Sequence, residues 1–404
     1  MIFKFTGGLV LGVAVGAATL FGQEALEKPP SDFSYNISGY DKSILFSTTS
    51  SGSTLGTIND PTLVENKSKD ILFANRLRLN LKTEFQDWLK TFVSFDNEVL
   101  VGDYLRSGDY KLAQRIEERS QFFDGTATVG RNNNFVYKPR LYRGYVDINH
   151  EKAKLRVGRQ QVPWGKGHYF TPTDIFNPYR ATQLETNERQ GVDAAFLRTA
   201  SVESLWLESL ELVATPHHDD HDKRFAARSR HTIHGYDISA LGGLREDDTF
   251  IGMDFESNLG RGAIRSEAIY YNADDRDNFG QWSVNMDYNF PGNVYGMVEY
   301  FWNGEGNNRK DKYDRIGLLK GDILYVGKHY LGLMLGRDIT PLWRAEVGHV
   351  MNLRDGSFVT MPELRYQIAA NWSAAAKVYF FGGPRTSDFG GGHTVYYSEL
   401  EYKF

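Results

Sequence analysis

The one run with metal-ligand character is His217-His218-Asp219-Asp220-His221-Asp222. Imidazoles and carboxylates hold divalent cations when they converge on a point. Here they lack rigid spacing and run straight into Lys223-Arg224, as a solvated loop tip would. His217, His218 and His221 are therefore weak candidates, and no metal is expected. Enzyme constellations are missing: the sequence holds no Gly-x-Ser-x-Gly, no His-Glu-x-x-His and no phosphate loop. His349 shares an alternating face with Trp343, Ala345 and Val347, but no serine accompanies it, so it reads as an interfacial histidine. Cysteine is absent, which removes disulfides, thiolate sites and covalent haem attachment. The expectation is no enzyme and no cofactor. What remains is fixed charge, which steers ions and breaks no bonds. Arg76, Arg78 and Lys82 alternate within one run, and Arg156 and Arg159 stand close together in another. Lys166, His168, Asp174, Arg180, Glu185 and Arg189 crowd the segment from Trp164 to Arg189.

The elements that must carry these charges are strands. Aromatic residues make up 14 %, glycines number 40 and prolines only 12. In Gln281 to Phe290, Trp282, Val284, Met286, Tyr288 and Phe290 alternate with polar residues. Arg76 to Phe85 and Trp372 to Phe380 repeat the pattern. A soluble sandwich would also alternate. Two features separate the cases. Trp282 with Phe290, and Trp372 with Phe380, stand at the ends of their apolar faces, where interfacial aromatic girdles lie. Arg76, Arg78, Lys82 and Glu84 crowd a face too charged for a dry core but suited to a water-filled lumen. Segments of about ten residues match a tilted membrane-spanning strand.

The reading is therefore all-β: a transmembrane antiparallel up-and-down barrel. About 17 runs can be counted, but single-chain barrels need an even number, so about 16 strands are expected, with 14 to 18 allowed. Long and short connections fall out of step between Gly191 and Gly260, where the count is in error. Thr49 to Asp70, Asp103 to Val136, Pro163 to Glu188, Pro216 to His231, Asn303 to Gly321 and Gly382 to Gly392 read as long loops. Gln86-Asp87, His150 to Lys152, Pro291 to Asn293 and Arg337 to Pro341 read as short turns.

The last strand, Thr394 to Phe404, alternates to its end, with Tyr396, Leu400, Tyr402 and Phe404 on one face. It resembles the C-terminal signal by which outer-membrane proteins engage their assembly machinery. A second block runs Val157-Gly-Arg-Gln-Gln-Val-Pro-Trp-Gly-Lys-Gly167, then Phe170 to Pro178, then Glu188-Arg-Gln-Gly-Val-Asp193. This block resembles porin-like and alginate-export-like bacterial outer-membrane proteins. The resemblance implies an outer-membrane location and passage of small polar or charged solutes. A conduit for an anionic polymer, or a barrel sheathing a partner such as a multihaem cytochrome, are the alternatives.

Within such a channel two arrangements of Trp164–Arg189 stay open. The segment folds inward as a constriction, stiffened by Pro172 and Pro178, or it stays outside with Trp164 and Phe176 packed on the rim. Arg76, Arg78, Lys82, Arg156, and Arg159 or Arg198, form either a basic lumenal wall or a set of locally paired charges. Pairing is preferred, because acidic residues outnumber basic ones, 51 to 46. Residues 1–25 read as a secretory signal: Lys4, then an apolar stretch from Gly7 to Phe21, with cleavage expected between 22 and 28. Residues 30–404 are expected to form the single barrel. Membrane lipid, the assembly machinery and small solutes are the expected partners. A periplasmic or redox partner and a homotrimer are left open, and no nucleic acid is expected.

Overall fold

The computed structural model describes residues 33–49, 69–107, 110, 122–182, 184–185, 189, 191–202, 206–216, 223–320 and 323–404. The expected leader, and with it His217, His218 and His221, lie outside the described residues.

One antiparallel sheet accounts for nearly everything else. Its first strands are β1 (Phe33–Thr49), β2 (Lys69–Phe85), β3 (Leu89–Gly102), β4 (Val129–Asn132), β5 (Phe135–His150) and β6 (Ala153–Gln160). Then come β7 (Val192–Thr199), β8 (Leu207–Thr215), β9 (Arg224–Ile233), β10 (Tyr236–Arg245), β11 (Asp248–Leu259) and β12 (Gly262–Asn272). The series closes with β13 (Phe279–Phe290), β14 (Val294–Asn303), β15 (His329–Thr340), β16 (Trp343–Asn352), β17 (Phe358–Ala369), β18 (Trp372–Gly382) and β19 (Thr394–Lys403). β4 is a short addition beside the first half of β5, and β3 pairs directly with β5. Leaving β4 out of the nineteen, eighteen strands pair in sequence order, and β19 pairs with β1. The sheet is a closed barrel. At the seam Gly39 N–H donates to the Phe404 carbonyl (2.9 Å), and Phe404 N–H donates to the Gly39 carbonyl (3.0 Å).

Eighteen strands fall at the upper edge of the expected 14 to 18, two above the sixteen favoured, and the difference has one source. Residues 216–231 read as a loop, but Arg224–Ile233 is strand β9. It turns into β10 through His234 and Gly235, both with positive φ (52° and 84°), the geometry that joins a tight hairpin. Its inner face carries Arg224, Arg228 and Arg230, while its outer face carries the small Ala227 and Ser229. Neither face offers the hydrophobic period by which a strand is read.

Short turns, such as 151–152, 260–261, 341–342 and 370–371, gather with the strand termini at one end of the barrel. At the other end lie the long connections 103–134, 161–191, 304–328 and 383–393. Outward faces are apolar: Ile251, Met253, Leu333 and Leu335 are exposed. Trp343 stacks on Tyr366 at 4.2 Å and Trp372 tilts against Tyr402 at 4.8 Å near the short-turn end, while Trp282 meets Tyr300 towards the other. An apolar band between aromatic rings is the exterior of a membrane barrel. No helix among the described residues is long and apolar enough to cross a membrane. Crossing is by strands.

Candidate functional site

β6 and β7 are the hinge of the long connection between them. Gly158 faces Ala194, Arg159 faces Asp193 and Gln160 faces Val192 across the ladder. Arg159 donates twice to the Asp193 carboxylate, both bonds 3.0 Å, and also to the carbonyls of Leu141 and Phe123. Strand alternation puts Arg159 on the opposite face from Arg156. Arg159 therefore leaves the expected lumenal wall and staples the strand ends from which residues 161–191 depart and to which they return.

Between those ends the chain turns into the barrel. Two wall carboxylates receive it. Glu267 on β12 accepts from the backbone N–H groups of Lys166, Gly167 and Thr173 and from the Thr173 hydroxyl (2.6 Å). Glu299 on β14 accepts from the N–H groups of His168 (3.2 Å), Tyr169 (2.7 Å) and Phe170 (3.3 Å). A charged acceptor roughly doubles a neutral hydrogen bond, so these contacts fix the turn's backbone. Gly167 is required there, since a Cβ would run into the Phe170 carbonyl and the Glu299 carboxylate. Side chains complete the seat. Phe170 stacks on Phe301 (4.9 Å) and meets Tyr325 edge-on (5.1 Å). The Tyr169 ring lies over Gly332 and Gly348 and donates to the Leu333 carbonyl (3.2 Å). Trp164 and Phe176 meet edge-to-face (5.1 Å) within a cluster that includes Val213, Ala226, Phe250 and Tyr271 of the wall. The Lys166 ammonium sits 3.0 Å from Asp254, which Arg228 also holds at 2.7 Å.

The returning half is tied differently. Arg180 donates to the Leu318 carbonyl (2.8 Å), and Ala181 N–H donates to the Tyr325 hydroxyl (3.0 Å). Glu185 reaches Arg76 (3.0 Å) and Lys42 (3.4 Å) on the opposite side of the barrel. Arg189 pairs with Asp174 (2.7 Å), lies over the Tyr179 ring (4.1 Å), and its carbonyl accepts from the Tyr142 hydroxyl (2.8 Å). The described residues of the segment thus touch walls from β1 and β2 round to β16, so they lie inside the lumen and not on the rim. Burial pushes the Asp174 carboxyl up to about 6 against the pull of Arg189. Burial also lowers the His168 imidazole and the Arg180 guanidinium.

The other singled-out cations have acidic neighbours. Arg76 pairs with Glu98 (2.7 Å). Arg78 bonds Asp96 (2.8 Å) and lies 3.4 Å over the Tyr142 ring. Lys82 meets Glu84 (2.7 Å), Arg156 meets Asp147 (2.8 Å) and Arg198 meets Glu208 (3.1 Å). Among the described residues no group of three side chains has the make-up of a metal site. His349 faces outward and shares a 2.9 Å hydrogen bond with Thr360. Sequence reasoning missed Glu267 and Glu299. A signal for Glu299 was present, since it stands between Met297 and Phe301 on an inward face where an acid among apolar residues has no water to meet.

No protein-family model matches the chain, and no curated protein does. Solved structures match in fold. OprD of Pseudomonas aeruginosa superposes with a TM-score of 0.56 at 10 % identity, over 92 % of this chain and 95 % of that one. OccK7 (OpdD) of the same organism gives 0.57 at 10 % identity, over 93 % and 99 %. OccK11 (OpdR) gives 0.54 at 12 % identity, over 91 % and 96 %. The chain shares the closed β-barrel fold of these porins. In this porin-like barrel Tyr396, Leu400 and Phe404 stand exposed on the lipid-facing side of β19, while Val395 and Tyr397 are buried inside. Tyr402 shares the outward side and packs on Trp372.

Proposed function

We propose that the barrel is a passive channel for small polar or charged solutes, with residues 161–191 as its constriction. The observation that carries this reading is the inward seat of that segment on Glu267 and Glu299, with Glu185 reaching across to Arg76 and Lys42. Lys166, Asp174, Arg180 and Arg189 belong to the constriction. Arg76, Arg78 and Arg156 belong to the wall around it, and Lys82 lies near the short-turn mouth. Because these wall charges are paired, the channel filters by size more than by sign. A conduit for an anionic polymer, or a sheath for a redox protein, needs a free lumen, so the inward segment favours small solutes. Tyr396, Leu400, Tyr402 and Phe404 act as the assembly signal.

Planar-bilayer recording tests the reading. Discrete ohmic steps, with liposomes that swell in small sugars and not in large ones, are expected. A barrel that stays sealed at all voltages would sink it.

A further inference from the structure

Glu267 and Glu299 are 1 % and 0 % exposed, yet among the described residues neither lies in ion-pair range of a cation. Across the ladder, Glu267 faces Asp254 and Ser283, and Glu299 faces Asn285 and Gly332. The compensation for both carboxylates is six backbone N–H groups and one hydroxyl, all from residues 166–173. A buried carboxylate without such donors is costly, whereas one facing water is not. Lifting the turn would therefore leave two hydrated acids on the wall. It would also carry Lys166 away from Asp254, whose remaining partner is Arg228.

We infer that Glu267 and Glu299 are concealed selectivity charges: docked, the turn 166–173 covers them; released, it widens the lumen and exposes them, shifting permeation towards cations. The inference rests on the channel reading above and adds a second, cation-preferring conducting state. Docking is held from two sides, by the carboxylates under the backbone and by Phe170 among Phe301, Tyr325 and Tyr330. The two can be removed separately, with different consequences for charge.

The test is unitary conductance and reversal potential in a potassium chloride gradient, on barrels whose assembly is checked by heat-modifiable electrophoretic mobility. Phe170→Ala loosens the turn and keeps both acids. Its conductance should rise on the order of twofold, as a pore follows its narrowest section, and its reversal potential should move towards cations. The double variant Glu267→Gln with Glu299→Gln loosens the turn and removes the charges, so its conductance should rise with no cation shift. A conductance rise in Phe170→Ala without a cation shift overturns the inference, as do wild-type values in both assembled variants. If Phe170→Ala does not assemble, Phe170→Leu is expected to show the same two changes on a smaller scale, and wild-type values there count against the inference equally. A wild-type barrel that never conducts defeats the channel reading itself, and is told apart because it appears before any variant is compared.

Discussion

The two halves of the inward segment are fastened by opposite means. From Lys166 to Thr173 the wall supplies acids and the segment supplies backbone amides. From Tyr179 to Arg189 the segment supplies the Glu185 carboxylate, and the wall answers with Arg76 and Lys42. Backbone fastening needs no charged side chain on the turn, but it needs the close approach that Gly167 allows and fails if the wall acid is lost. Side-chain fastening fails piecemeal. The first half is therefore the structural anchor, and the second sets charge in the lumen.

The largest expected effect comes from Glu299→Ala, which leaves three buried N–H groups without an acceptor at about 1–3 kcal/mol each. Trypsin should then cut after Lys166, which the docked turn is expected to protect in the wild type; equal protection in the variant would mean that the carboxylate holds nothing. Gly167→Ala comes next, at about 1–3 kcal/mol, because the added methyl displaces either the Phe170 carbonyl or the Glu299 carboxylate. The same cleavage assay reads it, and protection as in the wild type would break the contact argued for this glycine.

In the returning half, Glu185→Gln should cost only about 0.5–1 kcal/mol in docking, since its ion pairs are partly wet. Its signature is electrical: reversal potential moves towards anions as Arg76 and Lys42 lose an acid. No movement would remove Glu185 from the constriction.

Asp174 links the halves through Arg189. Its carboxyl is held up at about 6 in the docked segment, above its ordinary range. The docked form therefore keeps a proton that the released form has already lost. The resulting stabilisation is complete below the ordinary carboxylate range and disappears as pH rises through about 6. Tryptic release of the segment should thus increase from about pH 4 to 6 and level off above, and Asp174→Asn should flatten that slope. The smallest effect belongs to His349→Ala on the lipid face, within about 0.5 kcal/mol and with unchanged conductance; an altered conductance would put His349 to use in the pore.

Much of the barrel could be read from the chain because its outer face meets hydrocarbon. Trp282 to Phe290 alternates without interruption for that reason, and Tyr396 to Phe404 breaks its apolar face only at Ser398. The inner face meets water, other loops or buried partners, and no single pattern follows from that. β9 escaped notice because arginines face inward and alanine and serine outward. Arg156 and Arg159 looked equivalent as two arginines three positions apart, but an odd spacing in a strand sends them to opposite faces. The segment 161–191 was legible as unusual from Trp164, Pro172 and Pro178. Its direction was not, because that depends on Glu267 and Glu299, about a hundred residues further along and visible only once the sheet is closed.

The constriction proposed for residues 161–191 narrows the lumen only if removing it widens the pore. Replacing 164–189 with a short Gly-Ser linker, which leaves all eighteen barrel strands in place, and recording single channels tests it most directly. Unitary conductance at least about twofold above wild type is predicted, as the narrowest section is removed. An assembled barrel with unchanged conductance would contradict the account.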